Sequence, residues 1–88
     1  MATHADKILR KMRRKKSNHP ARDVWTVYRE YGFIEERGRG KGSHRLVRHK
    51  EHKHLFATLP NDGTAAIYVV KQLLKNISEL ERLTGGQA

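Results

Sequence analysis

Four of the six histidines of this chain lie close together, directly after a run of cations that are separated by glycines. The four are His44, His49, His52 and His54. In the run before them, Arg37, Arg39 and Lys41 alternate with single glycines, and Ser43 immediately precedes His44. Imidazole takes up and releases protons near neutral pH, and flexible cations can approach phosphates. This pairing is what an RNA-cleaving site without a metal would need.

RNA cleavage can use the 2′-hydroxyl of the RNA itself as the nucleophile. The protein must then accept a proton, protonate the leaving oxygen and stabilise the charged phosphorane. His44 is the candidate for proton transfer, and Lys41, Arg37 or Arg39 are candidates for holding the phosphate. Ser43 is placed to orient the imidazole or the phosphate, and backbone N–H groups of this glycine-containing run would add an anion-binding nest. An equally consistent alternative is that His44 is an ordinary strand residue and the cations only bind.

A metal site is a weaker interpretation of the same histidines. The chain has no cysteine, which excludes thiolate ligands and a disulfide framework. His44 and His49 are separated by an odd number of residues, so on one strand they would point to opposite faces. His52 and His54 are the remaining pair, and neighbouring cations would repel a divalent ion. We therefore expect neither a metal nor another cofactor.

The net charge of +10 is concentrated in the first two thirds of the chain. Residues 1–22 contain eight cations and one acid, residues 23–54 contain eight cations and five acids, and residues 55–88 contain three of each. A positive field of this kind favours a polyanionic partner, nucleic acid first and an acidic protein or membrane surface second. No apolar run approaches the roughly 18 residues of a membrane span, and no signal peptide is evident, so we expect a cytoplasmic protein.

Two helices are predicted ahead of these residues. Residues 5–14 form a short amphipathic pattern with Ile8, Leu9 and Met12 on one face, and residues 15–20 are predicted as a loop. A second helix is predicted from residue 21 or 22 to Tyr31, ended by Gly32.

Three strands and a last helix are predicted to follow. The strands cover about residues 33–37, 43–49 and 54–59, and the turn at 60–63 leads to a helix from residue 64 or 65 to Leu83. The order helix, helix, strand, strand, strand, helix predicts an α+β sandwich with an antiparallel meander and helices on one face, as in double-stranded-RNA-binding-like domains. The predicted division is a basic helix and loop at 1–20, a folded domain at 21–84 and a flexible tail at 85–88. Within it, Trp25, Tyr28, Phe33 and Phe56 are expected to pack in the core.

Short segments spread over residues 6–80 also match a known pattern in their order and spacing. They are Ser17-Asn18, Tyr31-Gly32-Phe33, Gly42-Ser43-His44, Arg48-His49, Gly63, Tyr68 and residues 70–75. With these segments the chain resembles the HicA-type toxins, the small mRNA-cleaving half of a bacterial toxin–antitoxin pair, and more narrowly a HicA-like group with an extra N-terminal helix. The resemblance implies a double-stranded-RNA-binding-like fold, catalysis by His44 and a HicB-type antitoxin that covers the active site.

The chain departs from that family at three places. Arg45 stands where the family commonly has a second histidine, and its guanidinium is a candidate to stabilise phosphate. Ala66 and Ile67 replace a lysine and proline at the start of the last helix, and the pair at residues 39–40 lengthens the loop before His44. The full set of candidate phosphate-binding residues is Arg37, Arg39, Lys41, Ser43, Arg45 and Arg48.

Two functions follow from the sequence. The first is an endoribonuclease that cleaves mRNA through metal-independent chemistry at His44 and is neutralised by an antitoxin. The alternative is a basic RNA-binding module that leaves the RNA intact, in which the cationic run at residues 13–16 contributes more than His44. A DNA-binding accessory protein is a third possibility, but no clear recognition helix supports it.

Overall fold

A computed structural model describes residues 3–36, 44–60 and 63–85 of the chain. The helices are α1 (His4–Arg14), α2 (Ala21–Glu30) and α3 (Ile67–Leu83). The strands are β1 (His19–Pro20), β2 (Phe33–Glu36), β3 (His44–His49), β4 (Phe56–Pro60) and β5 (Thr64–Ala65). The predicted α+β class, with three helices and a three-stranded antiparallel sheet, is confirmed. Two short strands, β1 and β5, were not part of the predicted order.

The main sheet has the strand order β2-β3-β4. Phe33 of β2 lies opposite His49 of β3, and Val47 of β3 lies opposite Ala57 of β4. This is the predicted meander, with the third strand beginning two residues later than expected. The delay arises because residues 52–55 form a turn, in which the Leu55 N–H donates to the carbonyl of His52 at 2.9 Å.

A second, two-stranded ribbon joins β1 to β5, with His19 opposite Ala65. It corrects two predictions, because residues 19–20 are not simply loop and α3 begins at Ile67 rather than at residue 64 or 65. The Ala21 N–H donates to the carbonyl of Gly63 at 2.8 Å and so ties the start of α2 to the start of β5. Strands of two residues are too short to show an alternation of polar and apolar side chains, so this ribbon has no periodic signal in the sequence.

The first helix belongs to the same core as the rest of the domain. Its buried residues are Ala5, Ile8, Leu9 and Met12, and they join one hydrophobic cluster with residues of α2, the sheet and α3. At its N-terminus, Thr3 and Asp6 form a capping box with two hydrogen bonds of 3.1 Å. The backbone N–H of Thr3, followed by the Tyr31 hydroxyl, lowers the pKa of Asp6. Burial and this same contact raise the pKa of Tyr31 to about 12.

The two faces of the main sheet differ. Phe33, Val47 and Leu59 face the helices and are nearly inaccessible to solvent. Phe56 was predicted to lie in the core, but it is 49% exposed. The reason is strand alternation, since its neighbour Ala57 is buried and adjacent residues of a strand point to opposite faces. In the part of the chain that the structure describes, no helix is long and apolar enough to cross a membrane.

Candidate nucleic-acid interface

The residues predicted to carry the chemistry fall partly outside the described structure. Arg37, Arg39, Lys41 and Ser43 lie outside the described residues, and so does the backbone nest predicted among them. His44 is the first residue of β3, the central strand, and pairs with Pro60 of β4. The tail predicted at 85–88 is described only at its first residue.

Arg45 is held beside the start of β3 by two partners. Its Nε lies 3.6 Å from a carboxylate oxygen of Glu35, and its guanidinium carbon lies 5.6 Å from the centroid of the Trp25 ring. The Trp25 indole N–H in turn donates to the carbonyl of Pro60 at 3.2 Å, and Pro60 is the strand partner of His44. Trp25 packs against the core as predicted. These contacts hold the half-exposed guanidinium of Arg45, the residue that directly follows His44 in the chain.

Arg48 is the second described candidate for phosphate binding. It forms an ion pair with Glu36, donates to the carbonyl of Lys53 at 2.7 Å, and holds its guanidinium carbon 4.9 Å from the centroid of the Phe56 ring. Ion pairs at the surface contribute only about 0–1 kcal/mol, because water competes for both charges. A phosphate could therefore replace Glu36 at Arg48, as it could replace Glu35 at Arg45.

His49 has a structural role that the sequence did not predict. It is only 4% exposed, and its Nδ1 accepts hydrogen bonds from the N–H groups of Glu51 and His52, both at 3.0 Å. An imidazole nitrogen that accepts two hydrogen bonds carries no proton. Burial, followed by the charge of His52, lowers the pKa of His49. His49 therefore fixes the turn after β3 and is not available for proton transfer.

A close approach of the backbone to His49 explains the glycine at position 32. Gly32 has φ +90°, and a Cβ placed there would lie 3.0 Å from Nε2 of His49. His52 and His54 continue the series of rings, with centroid separations of 5.1 Å from His49 to His52 and 6.3 Å from His52 to His54. In the described residues, no three histidine, cysteine, aspartate or glutamate side chains are grouped so that they could hold a metal ion.

His19 was predicted to be a plain loop residue, and this prediction is wrong. The side chain is 8% exposed, and its Nε2 lies 2.5 Å from the carbonyl oxygen of Lys15, to which an N–H at this nitrogen would donate. The residue lines a shallow cleft of about 530 Å³ together with Lys11, Arg14 and Lys15. The outer surface of α1 and the loop behind it are therefore strongly cationic.

A groove between β4 and α3 has no counterpart in the sequence predictions. It has a volume of about 320 Å³, and its lining includes His54, Phe56, Thr58, Tyr68, Gln72 and Asn76. The available signal was the spacing of Tyr68, Gln72 and Asn76, which places these three side chains on one face of a helix. Tyr68 is 71% exposed.

Comparison of the chain with protein-family models, curated proteins and solved structures finds no match in any of the three.

Proposed function

We propose that this protein is an endoribonuclease of the HicA type, which cleaves mRNA through metal-independent acid–base chemistry at His44 and is neutralised by a HicB-type antitoxin. The observation that carries the proposal is the way Arg45 is held at the start of β3. There Arg45 is oriented by Glu35 and Trp25 and directly follows the histidine. The net charge of +10 and the resemblance in segment order support the same substrate.

The proposed reaction moves protons at the RNA and needs no metal. An imidazole at position 44 takes the proton of the 2′-hydroxyl, whose oxygen attacks the adjacent phosphorus and forms a cyclic phosphate. The bond to the 5′-oxygen breaks, and this oxygen receives a proton. The Arg45 guanidinium offers charge-assisted hydrogen bonds to the phosphorane oxygens. Since Arg45 replaces the family's second histidine, His44 both accepts and returns the proton, or water supplies the second transfer.

The test is incubation of the purified protein with mRNA beside the His44→Ala variant. We expect the parent to cut RNA in EDTA as well as without it, and the variant to lose most of this activity while it keeps the parent's urea unfolding midpoint. His4→Ala, at the exposed start of α1, is the matched control and should remain active. Equal cleavage by parent and His44→Ala would refute the catalytic assignment. In cells, expression of the parent should arrest growth, and expression of the variant should not.

Binding without cleavage is the second candidate, and the cationic surface of α1 favours it. Arg13 and Arg14 are exposed in the last turn of this helix. If binding is the whole function, RNA will stay intact and its affinity will fall steeply with salt. Replacing Arg13, Arg14, Lys15 and Lys16 will then weaken binding more than His44→Ala does.

A further inference from the structure

We propose that the groove between β4 and α3 binds an unpaired base of single-stranded RNA, with Tyr68 as the stacking surface. The inference rests on the RNA binding proposed above and adds that the bound RNA is single-stranded. The lining of this groove includes His54, Phe56, Thr58, Tyr68, Gln72 and Asn76.

The groove carries a strongly exposed aromatic side chain. Tyr68, which lines the groove from the α3 side, is 71% exposed. Base stacking on aromatic side chains is the main sequence-tolerant contact that proteins make with single strands. A volume of about 320 Å³ lies within the range of small-ligand sites, about 300–1,000 Å³.

The floor of the groove is held rigid by Asn76. This side chain is 4% exposed, and its Nδ2 donates to the Tyr28 hydroxyl at 3.1 Å and to the carbonyl of Phe56 at 3.2 Å. Its Oδ1 accepts a hydrogen bond from Gln72 Nε2 at 3.3 Å. Strand β4 is thereby fastened to α3 beside the groove. A preformed surface loses little conformational entropy when a ligand binds.

The charges around the groove fit a polyanion. None of its described lining residues is acidic. The Arg48 guanidinium lies 4.9 Å from the centroid of the Phe56 ring, and Lys71 and Lys75 are exposed on α3 one turn apart. Glu79 is an acid near the groove, but it is paired with Arg82, and its hydrogen bond with Arg82 lowers its pKa. A base stacked in the groove would therefore have cations within reach of its flanking phosphates, as in known single-strand sites.

The groove also lies at a defined distance from the proposed catalytic residue. Phe56 pairs with Arg48, and Pro60 pairs with His44, four residues further along the strands. At about 3.3 Å per residue this is roughly 13 Å along the sheet, several times the step of about 3.4 Å between stacked nucleotides. The bound base is consequently not the one at the cut but one further along the strand. A duplex, whose bases are already stacked inside, cannot offer this contact.

The test measures RNA affinity separately from cleavage. In the His44→Ala background, binding of a labelled single-stranded 12-nucleotide RNA and of the matching duplex is followed by fluorescence anisotropy at fixed salt. We expect Tyr68→Ala to weaken single-strand binding by about fivefold or more and to change duplex binding by less than about twofold. Tyr68→Phe, which keeps the ring, is the matched control and should bind like the parent. The salt dependence should not change, because no charge is removed.

Three results would overturn the proposal. The first is equal single-strand affinity for Tyr68→Ala and the parent, and the second is an equal loss for single strand and duplex. The third is an NMR titration in which the 12-nucleotide RNA shifts the amides of Thr58, Tyr68 and Gln72 no more than poly-glutamate does. Equal shifts with poly-glutamate would indicate a protein-docking surface. If the parent binds as expected but cuts no RNA, only the proposed cleavage fails.

Discussion

Replacing Asn76 with alanine should destabilise the fold more than the loss of a polar side chain from a helix interior would suggest. Asn76 is the one side chain that joins α2, β4 and α3 through direct hydrogen bonds to Tyr28 and Phe56 in the described structure. Tyr28 is fully buried, and burial raises the pKa of its hydroxyl far above the usual value. The substitution leaves this hydroxyl without its donor in a place that water does not reach.

The magnitude can be worked out from the two contacts. An unpaired buried hydroxyl costs about 1–3 kcal/mol, and the loss of the bond to the Phe56 carbonyl, which lies at the sheet edge and can be hydrated, costs about 1 kcal/mol. The sum is about 2–4 kcal/mol. With a urea m value of about 1 kcal/mol per molar, the unfolding midpoint should fall by about 2–4 M. The fluorescence of Trp25, the only tryptophan, provides the signal.

A double-mutant cycle identifies the cause. Tyr28→Phe alone removes one hydrogen bond, leaves Asn76 bonded to Phe56 and should cost about 1 kcal/mol. In the Tyr28→Phe background no hydroxyl is left unpaired, so Asn76→Ala should cost about 1–2 kcal/mol less than in the parent. Strictly additive effects, or an Asn76→Ala cost below about 0.5 kcal/mol, would refute the reasoning.

Two further predictions concern the turn after β3 and the first helix. The pKa of His49 is lower in the folded protein than its ordinary value of 6.5, so the unfolded chain binds the proton more tightly. The contribution of His49 to the free energy of unfolding is therefore fully present above about pH 6.5 and falls as the pH drops below it. Urea unfolding at several pH values should show this dependence of the free energy of unfolding on pH, and the dependence should be weaker in His49→Asn. An unchanged dependence in that variant would contradict the assignment. Met12→Ala, at a fully buried position of α1, should cost about 2–5 kcal/mol, whereas Lys11→Ala on the exposed face should stay within about 0.5 kcal/mol. If both substitutions leave the urea midpoint unchanged, α1 is not part of the cooperative core.

The elements with a clear periodic spacing of apolar residues were predictable from the sequence, and the two-residue strands were not. The apolar spacing of α2 and α3 and the turn at residues 60–63 were sufficient for the helices and the three main strands. The ribbon of β1 and β5 is defined by pairing across 46 positions of sequence, from His19 to Ala65, and such pairing leaves no local signal. The exposure of Phe56 was missed because an aromatic residue in a strand was assumed to face the core, whereas alternation from Ala57 gives the opposite face.

The chemistry was predictable only as far as residue types allow. A cluster of histidines indicates proton transfer, but the sequence does not show which imidazoles already have partners. The structure removes His49 from the candidates, because its Nδ1 accepts two backbone hydrogen bonds. The groove was not predicted for a related reason. It depends on a hydrogen bond from Asn76 of α3 to the backbone of β4, and the sequence does not show such a contact between elements.

The position of Arg45 constrains how a single imidazole could work at the start of β3. A two-histidine site divides the acid and base roles, whereas an arginine keeps its proton at any accessible pH and can only stabilise charge. The proposed cleavage should therefore depend on the protonation of one imidazole, that of His44, and its rate should approach a plateau on the basic side instead of following a bell-shaped pH profile. Arg45→His would supply the second titrating group. A bell-shaped profile in that variant, beside a single limb in the parent, would assign the difference to the guanidinium that Glu35 and Trp25 hold in place.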